Sequence, residues 1–131
     1  MNLDEAREYF AHDRFATEAA GARIDSIADD RAVCSMEIEG IHRNAMGAVM
    51  GGAVFTLADF ALAVATNHGG TSAVSVSNTI EFIGSSKGTR LIAEASPDKL
   101  GKSLCFYTIV VRDDLGATIA KMTAIVKRVE R

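Results

Sequence analysis

The chain has no tryptophan, a single proline and only two cysteines among its 131 residues. Cys34 and Cys105 lie inside apolar runs rather than in turns, and their spacing fits neither a disulfide framework nor a zinc site. The three histidines, His12, His42 and His68, show no metal-ligand spacing among themselves or with the cysteines. No metal and no cofactor is therefore expected, and His42 reads as a loop hydrogen-bonder. A surplus of basic charge is also missing: 14 Lys and Arg stand against 17 Asp and Glu, giving a net charge of −3. That excludes a broad basic face for nucleic acid and gives no reason to expect binding to a membrane surface. The longest mostly apolar stretch, 45–66, contains Asp59 and three glycines, so it reads as a buried helix with its lead-in and not as a membrane span. The charged, helix-like N-terminus differs from a signal peptide, which makes a cytoplasmic chain the expectation. Residues 47–52 are glycine-rich but lack the Lys-Ser/Thr ending and the βαβ context of a phosphate loop.

What remains is an ordinary globular composition, 48% apolar and 24% charged. Residues 1–131 are read as one domain, long enough to bury roughly two-thirds of its unfolded surface. Leu3, Ala6, Arg7 and Phe10 recur at helical spacing. Residues 15–21 fit no period. From Ala22 the period shortens to two, with a weak strand to Ile27, a turn at Asp29 and Asp30, and a half-buried strand through Ala32, Cys34, Met36 and Ile38. Residues 40–52 read as a loop. Residues 53–66 have only Thr56, Asp59 and Thr66 as non-apolar members, the pattern of a core helix, with Gly69 or Gly70 available as its left-handed cap. Four strands follow. In the first, 73–83, Val74, Val76, Ile80 and Phe82 alternate with Ser75, Ser77, Thr79 and Glu81. The second ends at Pro97 and Asp98, and residues 113–116 join the last two as a hairpin. This order predicts an α+β fold, a mainly antiparallel sheet wrapped on one long helix, and its open edges predict an oligomer.

Two features in residues 42–59 point to chemistry. Gly51 and Gly52 precede the buried helix, where unpaired N–H groups and the helix dipole suit a carbonyl or a developing oxyanion. Asp59 lies inside an otherwise apolar helix, so it must be paired (for instance by Thr56, one turn away), protonated or functional. Eight residues of helix place Gly51 and Asp59 about 12 Å apart. If both act on one substrate, Asp59 comes from a neighbouring subunit and the site lies at a dimer interface.

Asn44, Gly47, Gly51, Gly52, Phe55, Leu57, Ala58 and Asp59 resemble, at matching spacing, the motif of the hotdog-fold acyl-CoA thioesterases of the phenylacetate-degradation (PaaI-like) type. Residues 79–82, 101–103 and 114–116 look similar too. The resemblance implies an antiparallel sheet around a central helix, and hydrolysis of an acyl-CoA to free acid and CoA. It leaves the acyl group open among aromatic, medium-chain and hydroxylated ones. It casts the Gly51 N–H as the group that polarises the thioester carbonyl, Asn44 as a positioner of substrate or loop, and Asp59 of the adjacent chain as nucleophile or general base. Ser75 is implied as the residue orienting water, with Ser77 as second choice. Gly52 and Met50 fall beside the substrate, where Met46 and Met50 could line an acyl pocket; Lys87, Arg90, Lys99, Lys102 and Arg128 are candidates for the CoA phosphates, and Lys102 matches a position that is often basic in the family. The implied assembly is a homodimer or dimer of dimers. In one respect the chain departs from the family: Met50 stands where histidine is usual. A methionine neither titrates nor donates a strong hydrogen bond, so a non-catalytic acyl-CoA-binding protein is the alternative.

Overall fold

The computed structural model describes residues 1–129. Among these, ten elements follow in order: α1 (Leu3–Phe10), a π-helical turn (Phe15–Ala19), β1 (Arg23–Ala28), β2 (Arg31–Glu37), a 3-10 turn (Gly40–His42), α2 (Gly51–Asn67), β3 (Ser72–Phe82), β4 (Arg90–Leu100), β5 (Leu104–Asp113) and β6 (Thr118–Val129). The strands form one antiparallel sheet in the order β1-β2-β4-β5-β6-β3. This is the helix-wrapped α+β architecture that the resemblance implies.

The core follows from the two periodicities meeting. Inward residues of the sheet, among them Cys34, Met36, Leu91, Ile109, Val111 and Met122, are buried. They pack on Val54, Leu57, Ala61, Leu62 and Val64 of α2. Small side chains at Ala58, Ala61 and Ala65 let the helix lie close to the sheet, and α1 closes one end through an edge-to-face contact of Phe10 with Phe60. Cys34 and Cys105 are both buried and unbridged.

In three places the chain departs from the local expectation. First, α2 begins at Gly51, so the two glycines are its first two residues and not its lead-in, with Met50 as N-cap; at the other end it is Gly70 that takes the left-handed conformation (φ +90°). Second, β4 runs through Pro97 to Leu100, the register slipping between Pro97 and Lys99. A bulge is where a strand tolerates a proline.

The third departure concerns β3. Its register slips between Ser75 and Ser77, so Ser75 lies opposite Val126 while Ser77 lies opposite Ile125. Val126 is buried toward α2, whereas Ile125 belongs to the outer face of the sheet. Cross-strand partners share a face. Ser75 and Ser77 therefore sit on opposite faces, where strict alternation would put them together. Asn78, Ile80 and Phe82 return to the helix side. β3 runs antiparallel to α2: the Asn67 side chain bonds the backbone of Ala73 at one end, and Phe82 meets Gly51 at the other.

Candidate active site

Helices ordinarily begin with a Ser, Thr, Asp or Asn whose side-chain oxygen takes an N–H of the first turn. Met50 has no such oxygen, and α2 has no side-chain cap. Its own carbonyl accepts from Ala53 and Val54, 3.0 and 3.2 Å away, but the N–H groups of Gly51 and Gly52 find no partner among the described residues. Two aligned donors at the positive end of a 17-residue helix are left available. Gly51 also packs against Phe82: a methyl group added at its Cα would come 3.0 Å from the ring. At Gly52 the same position is open space.

Loop 43–49 leads into this terminus. Asn44 holds it together, its side-chain oxygen accepting from the N–H of Met46 (3.0 Å) and Ala48 (3.1 Å) while its backbone N–H donates to the Ala48 carbonyl (2.7 Å). Asn44 is thus placed as the organiser of the loop. The buried His42 anchors the loop's start. Its Nδ1 accepts from the Glu39 N–H (3.0 Å), which leaves Nε2 as the donor to the Ala20 carbonyl (2.7 Å).

Gly51 and Gly52 face different spaces. Gly51 lines a cavity of about 380 Å³ together with Arg43, Phe82, Ser85 and Ser86. Gly52 and Met50 line a second, about 460 Å³, with Phe15, Ile41 and Ala53. A third, also about 460 Å³, holds Asp59 with Asp13, Arg14, Phe55 and Phe60. The second and third adjoin, since Phe15 and Thr56 line both. Within one chain the structure does not bring Asp59 and Gly51 into the same cavity.

Asp59 is half-buried on the outward stripe of α2 that also carries Gly52, Thr56 and Ala63. Thr56 is not its partner, because the threonine hydroxyl donates to the Gly52 carbonyl at 2.8 Å. Burial, and after it the negative charge of Asp13, raise the Asp59 pKa above the ordinary carboxylate range. The cation lining the same cavity gives no relief: Arg14 is held by Glu18 through two 2.9 Å hydrogen bonds. An unpaired carboxylate beside a cavity, with heightened proton affinity, is equipped to accept a proton or attack a carbonyl.

Ser75, on the helix side of the edge strand β3, is exposed. Ser77 opens instead onto the outer face of the sheet, beside Thr79, Asp98 and Phe106. Lys102 is exposed in the β4–β5 turn and lines neither the Gly51 nor the Asp59 cavity; Arg43 is the cation at the former. Met46 is 89% exposed and lines none of these three cavities. Among the described residues no three potential metal ligands converge. Phe15, Ile41, Arg43 and Asp13 were not legible as site residues: the first lies in the segment without a period, and the others are single residues in loops.

The sequence pattern of the thioesterase superfamily matches residues 46–120, more than half the chain and the segment running from the loop through α2 to β6. The chain belongs to the thioesterase superfamily. Among solved relatives, the PaaI protein of the Escherichia coli phenylacetic acid degradation operon is 28% identical, with a TM-score of 0.85 over 98% of this chain and 97% of that one. A mutant form of the phenylacetic acid degradation protein PaaI from Thermus thermophilus is 29% identical, with a TM-score of 0.80 over 86% and 97%. A hypothetical thioesterase from Streptococcus pneumoniae, solved with coenzyme A, shares the fold at 18% identity, with a TM-score of 0.84 over 93% and 98%. The hotdog architecture of the PaaI-like group is thus the architecture of this superfamily member. No helix among the described residues is long and apolar enough to cross a membrane.

Proposed function

We propose that the protein is an acyl-CoA thioesterase whose site is completed across a subunit interface. The observation that carries this reading is the pair of complementary, unpartnered groups on α2: free N–H donors at Gly51 and Gly52, and an unpaired, half-buried carboxylate at Asp59. Donors at a helix start stabilise negative charge developing on a thioester oxygen. A carboxylate of raised pKa supplies the base or nucleophile. The two are about 12 Å apart along one helix, too far for a single carbonyl, so the partner subunit supplies one of them.

The surface supports such an assembly. β3 is an edge strand, paired on one side with β6, and it exposes Val74, Val76 and Phe82. An apolar open edge is a template for a second strand. Pairing two copies of β3 antiparallel lays the two α2 helices side by side in opposite directions, the arrangement that carries Asp59 of one toward Gly51 of the other. Ser75, at the helix side of that edge, is the residue we assign to orienting water.

In the proposed reaction the thioester carbonyl oxygen sits over the Gly51 N–H. Asp59 either attacks the carbonyl carbon, forming a mixed anhydride that water hydrolyses once the thiolate has left, or takes a proton from the water that attacks it. The C–S bond breaks, CoA leaves as its thiolate and takes up a proton, and the free acid departs. Arg43, the basic side chain lining the Gly51 cavity, is the one we assign to the CoA arm. The test is thiol release from acyl-CoAs together with the mass of the particle in solution. The reading expects hydrolysis by a dimer or larger assembly that is abolished in Asp59→Asn. A monomer, or an active Asp59→Asn, contradicts it. Tight acyl-CoA binding without thiol release assigns the chain to the binding-protein alternative.

A further inference from the structure

We propose that the groove lined by Phe15, Ile41 and Met50 receives the acyl group, and that it selects apolar acyl chains against carboxylated ones. This rests on the thioesterase reading and adds the substrate class.

The groove lies between the π-helical turn and the start of α2, and its volume, about 460 Å³, is in the range of small-molecule sites. Three large apolar side chains stand open around it: Phe15 and Ile41 are each 73% exposed, and Met50 47%. Single exposed hydrophobics need no explanation, but three around one concavity beside unpaired backbone donors mark a binding site. Continuity names the occupant. Gly52 lines the groove and its neighbour Gly51 lines the cavity of Arg43, Ser85 and Ser86, so a thioester held over these donors has one polar arm and one apolar arm. Phosphates and the pantetheine amides suit the first; the acyl chain is left with the second. At its far side the groove adjoins the Asp59 cavity through Phe15 and Thr56.

Selection follows from hydrogen-bond satisfaction. Only two side chains lining the groove are polar, and both have spent their donors: His42 Nε2 on the Ala20 carbonyl and the Thr56 hydroxyl on the Gly52 carbonyl. No side-chain donor there remains for a carboxylate oxygen on the substrate. Burying such an oxygen unpaired is costly, and Asp13 and Asp59 next door repel an anion further.

The experiment compares kcat/KM for acetyl-CoA, octanoyl-CoA and octanedioyl-CoA in the wild type and in a Phe15→Ser, Ile41→Ser double variant, both changes being at exposed positions. Equilibrium binding of the same three esters to Asp59→Asn, with and without the double change, is measured in parallel. Losing apolar contact of this size costs at least about tenfold. The octanoyl-to-acetyl ratio should therefore fall at least tenfold in the double variant, and the wild type should reject octanedioyl-CoA. An unchanged ratio, or octanedioyl-CoA accepted as well as octanoyl-CoA, overturns the proposal. The catalytic reading fails separately: Asp59→Asn would then still cleave octanoyl-CoA while its binding preference depended on Phe15 and Ile41 as stated.

Discussion

Two corners of this molecule treat aspartate in opposite ways. At the β5–β6 hairpin, Asp113 is 2% exposed, accepts from the N–H of Leu115 and Ala117 and from the Ser86 hydroxyl, and is saturated. Asp114 beside it accepts from the N–H of Thr89 and Arg90 and from the Thr89 hydroxyl. Gly88 packs so close to Asp114 that a side chain there would displace the Asp114 carboxylate. Burial by itself pushes the Asp113 carboxyl up, but the donors from Ala117, Ser86 and Leu115 outweigh it and hold its pKa below the ordinary value. On α2, Asp59 has burial without donors, and its pKa moves the other way. The same side chain fastens one corner and is kept chemically available at the other. What separates them is the count of N–H and O–H groups aimed at the carboxylate.

That contrast can be broken in order of expected effect. Asp59→Asn should cost about 10²–10⁴-fold in kcat/KM, read as thiol release, with the fold intact. It should also stabilise the protein at neutral pH. A raised folded-state pKa means that the native chain binds more protons than the unfolded one. Stability therefore falls as pH rises from the ordinary carboxylate value to the raised one, and Asn removes that fall. Melting curves of both proteins across that window check the sign. Gly51→Pro deletes one donor at a helix position where proline is welcome, although its ring must displace Phe82 slightly. A loss of about 10²–10³-fold in kcat is expected.

Asp113→Ala should do the reverse, lowering Tm by about 5 °C or more while costing the folded fraction far less activity than Asp59→Asn does. With its depressed pKa, Asp113 contributes stability above the ordinary carboxylate value that fades as pH falls toward the lowered one, so the gap between the wild type and the variant should close in acid. Met50→Asp supplies the missing cap through the Gly52 N–H and should stabilise the fold by about 1 kcal/mol, while reducing turnover because it sets a carboxylate in the apolar groove beside the Gly51 donor. The smallest effect is expected from Asp13→Asn: the acid limb of kcat/KM should move to lower pH, and high salt should narrow the difference.

Much of this organisation is written in local pattern. The apolar run around Leu57 and Leu62 announces a core helix, the β-branched runs flanking residues 113–116 announce a hairpin, and Asp59 shows itself by being charged among hydrophobics. Features that depend on pairing partners are not visible in one strand's own residues. Ser75 and Ser77 look equivalent until the register with β6 slips between them. The turn at Phe15–Ala19 is a single π-helical turn, closed by the Ala20 N–H on the Phe15 carbonyl, too short to establish a period, so the groove it walls was hidden. Met50 was legible as a departure from the family motif, but its consequence, an uncapped helix with free donors, emerges only when hydrogen bonds are followed atom by atom.

The most direct measurement mixes two inactive proteins, Asp59→Asn and Gly51→Pro, and assays thiol release after subunit exchange. A heterodimer of these variants contains one site in which both functional groups are native. If the carboxylate and the amide of each site belong to different subunits, activity returns to about a quarter of wild type, because half the dimers are mixed and each carries one good site of two. A mixture that stays as inactive as its components contradicts the shared site.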